Sequence, residues 1–229
     1  MAAFEGFPPD LFDFLAELTA HNERAWFDAH KDDYERALRE PARAFIRAMG
    51  ERLEKVAPHL VADDRRAGGS LMRIYRDTRF AKDKTPYKTN VGIQFRHEAG
   101  KDVHAPGLYV HFDLEEAFVG AGMYMPPNEA LNAIRAKIVE QPDRWTAITR
   151  DPTFVETFRQ GGESLKRPPR GFDKDHPLIE DLKRKSFILV HDLDPEVAES
   201  PDLVDRVTEL MRRAKPYCDF ICGAVGLPF

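Results

Sequence analysis

The chain has 229 residues and a mass of 26.2 kDa, enough to bury a core without disulfide staples. Charged residues make up 32% and the formal net charge is −5, which disfavours a groove for a long polyanion, and no apolar run reaches the ~18 residues of a membrane helix. Met1 to Glu5 carries no basic or apolar leader pattern and Cys218 and Cys222 make no disulfide framework, so the expectation is a soluble, cytoplasmic protein with one domain over residues 1–229.

The first sixty residues read as helices. Leu11, Leu15 and Leu18 recur at helical spacing after Pro8-Pro9-Asp10, and Phe12 and Phe14 widen the stripe. Asn22 is expected to cap a second helix that carries Trp26, Phe27 and Tyr34. Pro41 suits the first turn of a third helix, with Phe45, Met49, Leu53 and Val56 on one face and Pro58 after it.

The period then changes. Leu71 to Tyr75 is short and β-prone. Val91, Ile93 and Phe95 alternate with Gly92, Gln94 and Arg96, and Leu108, Val110 and Phe112 alternate with Tyr109, His111 and Asp113. Ala117 to Tyr124 forms a further run containing Gly120 and Gly122. Alternation with short connections predicts an antiparallel meander with one wet face.

Helices return after Pro126-Pro127. Leu131, Ile134 and Ile138 share a face, Pro142 and Pro152 suit helix starts, and 161–175 reads as a loop. A short helix is expected over 177–185. Phe187 to Val190 reads as a strand buried on both faces, and Ser200-Pro201 as the start of a helix that Pro216 breaks or kinks. Strands flanked by helices without βαβ alternation predict an α+β fold, an antiparallel β-sheet meander flanked by N-terminal and C-terminal helices.

Unusual chemistry concentrates in residues 73–88, where Arg73, Arg76, Arg79, Lys82, Lys84 and Lys88 face only Asp77 and Asp83. Six cations against two carboxylates give +4 locally, and the chain's −5 leaves −9 for the remainder. A positive island in a negative molecule focuses a compact anion while the whole repels a long one. Arginine grips phosphate or carboxylate with a rigid fork and lysine adds a mobile charge. The leading expectation is therefore a small-anion site, phosphate or carboxylate, on the exposed sheet face. Arg73, Arg76, Arg79, Lys84 and Lys88 would grip the ligand, and Tyr87, Tyr109 and Tyr124 would orient it. Asp77 and His111 are the candidates for proton transfer if the protein is an enzyme, His111 with Asp77 or Asp113 nearby. Against this stand a surface ion-pair network, a nucleic-acid-binding or nucleic-acid-processing protein, and a non-catalytic module docking an acidic protein partner.

Other patterns are weaker. His97, His104 and His111 are evenly spaced, but no HxxxH or HExxH occurs, so no metal and no cofactor is expected. Cys218 and Cys222 read as buried, inert thiols. Gly120-Ala-Gly122 reads as a bulge or close backbone approach, or as room left for a ligand. Lys166-Arg-Pro-Pro-Arg-Gly-Phe172 is a second basic loop, a candidate lid over the first.

Several blocks together resemble one family. They are Asn22-x-Arg24-x-Trp26-Phe27 with Tyr34, the run from Arg73 to Asn90, Tyr109-Val-His111, Gly120-x-Gly122-x-Tyr124, and Leu165 to Phe172 with Lys185-Ser-Phe187. The sequence resembles the family known as domain of unknown function 2461 over nearly its whole length. The resemblance implies a soluble α+β fold and carries over no activity and no residue roles.

Overall fold

The computed structural model describes residues 4–100 and 104–229, so the reading of Met1 to Glu5 falls partly outside them. Six strands form one antiparallel sheet, with helices before and after it, as the α+β pattern predicts. The strands are β1 (Leu60–Val61), β2 (Val91–His97), β3 (Gly107–Phe112), β4 (Ala117–Met123), β5 (Arg159–Gly161) and β6 (Phe187–Asp192). Their order is β1-β2-β3-β4-β6-β5, so the expected meander is the middle of the sheet.

One sheet face is dry. Val91, Ile93, Phe95, Leu108, Val110, Phe112, Val119, Phe187 and Leu189 point into it, each no more than 2% exposed. Two long helices close over that face and on each other: α4 (Glu40–Val56), and the C-terminal α9 (Leu203–Ala224). Full burial of one such aliphatic or aromatic side chain stabilises by ~1.5–3 kcal/mol, so this face dominates the stability.

The N-terminal helices are α1 (Asp10–Ala20), α2 (Arg24–Ala29) and a single turn α3 (Lys31–Asp33), which runs through a π-helical stretch, Tyr34–Arg39, into α4. Pro41 thus sits in the first turn of α4, as expected, but no break precedes it. After the meander come α5 (Asn128–Glu140), α6 (Pro142–Thr149), α7 (Pro152–Thr157) and the short α8 (Ile179–Leu182). Proline opens α6 and α7, and Trp145 of α6 is fully buried against Phe187, Tyr217 and Phe220.

Four local expectations need correction. Asn22 does not cap α2; Glu23 holds the cap position and Asn22 bonds to a distant backbone, described below. Leu71 to Tyr75 makes only isolated bridges, Leu71 to Ile93 and Tyr75 to Tyr87, because Pro86 and the loop it belongs to interrupt the ladder. Pro216 does not break α9, which continues past it to Ala224. That proline is on the exposed side, as are Arg212 and Arg213, so the Arg212 carbonyl it leaves without a donor faces water. Finally, the second face of β6 is only partly covered: Val190 is buried but Ile188 is half-exposed, and no helix among the described residues lines the trough whose floor they form.

Candidate functional site

The predicted site residues fall into two clusters that share no hydrogen-bond partner. The first is the arginine-rich segment. Its two arms are joined by the Arg76 amide to the Pro86 carbonyl at 2.9 Å and the Lys88 amide to the Ile74 carbonyl at 2.7 Å. Asn22 clamps the second arm: its side-chain amide donates to the Tyr87 carbonyl and its oxygen accepts from the Tyr87 amide, both at 3.0 Å. Asn22 thus stands in for a neighbouring strand. The Tyr87 ring is 2% exposed and stacked on Phe27 at 4.2 Å, which explains why the Asn22 to Phe27 block and the Tyr87 block occur together.

Most of the charge in this segment is satisfied locally. Arg79 forks onto Asp77 at 2.7 and 3.0 Å, and the Arg79 amide donates to the same carboxylate. Those Arg79 bonds hold the Asp77 carboxyl well below its ordinary range. Arg76 donates to Asp83 and to the Thr85 hydroxyl. Arg76 first, then the Thr85 amide and hydroxyl, hold Asp83 down to about 2. Lys84 donates to the Thr78 carbonyl at 2.8 Å. Among the described residues, the Arg73 guanidinium and the Lys82 and Lys88 ammonium groups make no hydrogen bond or ion pair; Lys82 is exposed. Lys88 is half-buried, and burial, followed by repulsion from Arg73, lowers its pKa.

The second cluster occupies the open sheet face. Strand register arranges its side chains in ranks across the sheet. One rank runs Asp192, Phe118, His111, Gly92; the next runs Arg159, Val190, Gly120, Tyr109, Gln94; the third runs Gly161, Ile188, Gly122, Gly107, Arg96. Glycines in the second and third ranks leave a trough of about 540 Å³. Ile188, Val190 and the glycine backbone form its floor, and Tyr109, Phe118, Tyr124, Met72 and Arg159 rise around it. The volume lies within the roughly 300–1,000 Å³ of small-molecule sites.

Two of those glycines differ in kind. Gly122 has a φ of +125°, and a Cβ on it would collide with the Phe187 carbonyl of the neighbouring strand. The fold requires glycine there. Gly120 has no such φ, and the nearest atoms to a Cβ built on it are 3.8 Å away. Neither backbone nor packing demands glycine at 120; the missing side chain is open volume in the trough.

A polar chain stands at one end of the trough. His111 stacks on Phe118 at 4.7 Å. Its Nε2 lies 3.0 Å from Asp113 Oδ2, and its Nδ1 lies 3.1 Å from the Tyr109 hydroxyl and 3.5 Å from Asn90 Nδ2. Asp113 Oδ1 accepts the amides of Glu115 and Glu116, both at 2.8 Å. Burial pushes the Asp113 carboxyl up, but the bonds from His111, Glu116 and Glu115 outweigh it and hold it below its ordinary value. An ionised carboxylate only accepts, so Nε2 carries the proton and Nδ1 is left to accept from Tyr109. Burial, then the Asp113 and Glu116 charges, push the Tyr109 phenol up to about 12, so it stays protonated.

Of the predicted residues, then, the structure brings Tyr109 and Tyr124 to the trough, sets His111 behind its wall against Tyr109 and Phe118, and keeps Arg73, Arg76, Asp77, Arg79, Lys84, Tyr87 and Lys88 together in the other cluster. The evenly spaced histidines disperse. His97 is buried and reaches the Pro228 carbonyl at 2.8 Å, and His104 reaches the Tyr124 carbonyl at 3.0 Å. Cys218 and Cys222 are buried, and burial raises both thiols, Cys222 to about 12, so neither offers a ready thiolate. Sequence reasoning missed Asn90, Glu116 and Arg159 as site residues. The alternation that puts His111 on the wet face also puts Asp113 there, but nothing in spacing alone marks Glu116 across the turn.

The fold and site define an α+β protein whose sheet is covered on one face and bears a ligand-sized trough on the other. Residues 10–220 match the family described as conserved hypothetical protein (DUF2461), and the chain belongs to that family. No curated protein and no solved structure matches it significantly. No helix among the described residues is long and apolar enough to cross a membrane.

Proposed function

We propose that the protein binds a small organic molecule in the open-face trough, and that His111, oriented by Asp113, exchanges a proton with it through the Tyr109 hydroxyl, which lines the trough. Gly120 is the observation that carries this reading: a residue at the centre of the trough lacks a side chain that the fold has room for. The apolar floor would take the ligand's body. Tyr109, Phe118 and Tyr124 would bound it, and the hydrogen-bonded end would take its polar group. The Asp113–His111–Tyr109 chain is a base held in one tautomer by a carboxylate, the arrangement general acid–base chemistry needs.

The test is a ligand-observed NMR screen with small aromatic carboxylic acids and phenols, followed by amide mapping. Hits should shift Tyr109, Gly120 and Ile188 and should be lost in Gly120→Leu, which fills the trough. Hits that map elsewhere, or survive Gly120→Leu unchanged, remove the reading.

A second reading, compact-anion binding, draws on Arg73 and Lys88. These two cations stand side by side with no carboxylate partner, Lys88 partly out of water, an arrangement that a phosphate or carboxylate would relieve. The wider cationic surface needed for nucleic acid or an acidic protein gains less support, since Arg76 and Arg79 already spend their charge on Asp83 and Asp77.

A further inference from the structure

The β3–β4 turn brings together more than the proton-transfer reading uses. His111, Asp113 and Glu116 each offer one ligand atom, and these atoms all lie within 4.8 Å of one another, with Glu116 lining the end of the trough. We propose that His111, Asp113 and Glu116 form a binding site for one first-row divalent transition-metal ion, open on the side that faces the trough. This goes beyond the trough reading and does not depend on it.

Three features beyond proximity support the assignment. The first is spacing. Metal bonds of about 2.0–2.2 Å to nitrogen and oxygen put neighbouring ligand atoms roughly 3 Å apart, and Nε2 and Oδ2 are already 3.0 Å apart. An ion would take the place of the Nε2 proton without moving either group far; the proton passes to Nδ1, so the ring stays neutral and donates to the Tyr109 hydroxyl instead of accepting from it. The second is orientation from behind. The far nitrogen of His111 has the Tyr109 hydroxyl at 3.1 Å, and the far oxygen of Asp113 is fixed by two backbone amides at 2.8 Å. Ligating histidines and carboxylates are commonly held this way, which fixes the ring and aims the free lone pairs. The third is charge. A neutral imidazole with two carboxylates sums to −2, which a divalent ion cancels.

The donor set also selects the class of ion. One imidazole nitrogen among oxygens favours zinc, manganese or iron(II) over calcium and magnesium, which take oxygen alone. Three protein ligands leave at least one position for water or ligand, the pattern of catalytic rather than structural ions. Arg159 lies near Glu116, but its guanidinium is committed to Asp192 at 2.7 and 3.0 Å.

The experiment is isothermal titration of the full chain with zinc ion alone, with long-range nitrogen–proton NMR of the histidine rings. Magnesium serves as the comparison. The expected result is one saturable equivalent of zinc, a shift of His111 Nε2 on binding, and at least tenfold weaker binding in both Asp113→Asn and Glu116→Gln. Glu116 is exposed, so its variant tests the site without threatening the fold, and circular dichroism checks both. The absence of saturable binding overturns the proposal. So does unchanged affinity in either variant, or zinc seen only at other histidines. Gly120→Leu should bind zinc as the parent does. Loss of zinc with aromatic acids still in the trough removes the metal site alone. Zinc binding without any trough ligand removes the trough reading alone.

Discussion

The arginine-rich loop and the open sheet face make opposite use of their side chains. The loop is rich in conspicuous residues and spends both carboxylates and half of its cations on itself: Asp77 on Arg79, Asp83 on Arg76, Lys84 on a carbonyl. The sheet face is built from inconspicuous residues, several of them glycine, and leaves a trough empty. A charge cluster read from sequence reports which groups are near in the chain, and those groups tend to satisfy one another first. A site, by contrast, is where the fold leaves something unsatisfied or unfilled. By that standard the trough stands out, and within the loop, among the described residues, Arg73, exposed Lys82 and half-buried Lys88.

The sharpest way to break this contrast is to treat two glycines of one strand alike. Gly122→Ala should destabilise by about 3 kcal/mol, since it combines a disfavoured backbone conformation with a clash on the next strand. That corresponds to a melting temperature lower by roughly 6–12 °C. Gly120→Ala should instead be neutral or stabilise by up to ~1 kcal/mol, because glycine in a strand costs conformational entropy. Equal destabilisation in the two variants would mean that Gly120 is structural and the trough incidental.

Next in size is the clamp between the N-terminal helices and the loop. Asn22→Ala removes both bonds to the Tyr87 backbone, and should cost about 2 kcal/mol, read from the denaturant midpoint. Asn22→Asp keeps the acceptor for the Tyr87 amide and should cost less. A shift near zero for Asn22→Ala would show that the Phe27–Tyr87 stack alone holds the loop.

The residues that sequence reasoning placed well are those governed by period. Alternation in 91–95 and 108–112 gave the meander and its wet face, so Tyr109 and His111 were legible as members of one surface. Helical spacing gave the stripes of α1 and α4. Asn22 was misplaced because its partner, Tyr87, is 65 residues away, and a capping preference sees only neighbours. Pro216 does not end α9 because its cost depends on which helix face it occupies, which the tertiary packing decides. The trough itself could not be read from spacing. It depends on register across the strands, which places Gly120 beside Tyr109 and Val190, and on no helix among the described residues lining that face.

Smaller, and specific to the loop, is the fate of two of its uncommitted cations, Arg73 and Lys88. Lys88→Met removes a half-buried charge that faces Arg73, so it should leave the melting temperature unchanged or raise it. In the parent, inorganic phosphate should raise the melting temperature beyond an ionic-strength-matched chloride control, by mass action on the folded state. That increment should vanish in Lys88→Met. Equal phosphate increments in both proteins would remove Arg73 and Lys88 as an anion site and leave the whole loop structural.

The smallest expected effect is acid titration of the loop. Asp83 titrates at about 2 in the folded protein, against an ordinary aspartate value of about 3.9. A depressed carboxylate contributes its stabilisation fully above the unfolded value and loses it as pH falls through the folded one. The Arg76–Asp83–Thr85 contacts should therefore be intact above about pH 4 and released between about pH 4 and pH 2. Because Asp83 is exposed, the global midpoint should barely move, and the signal is local: the Thr85 amide, which donates to Asp83 Oδ1 at 2.9 Å, should shift across that window. Asp83→Asn should abolish the titration while leaving the Tyr109 and His111 resonances in place. A shift of those trough resonances in step with Thr85 would show that loop and sheet face act as one unit, and the separation drawn between them would fail.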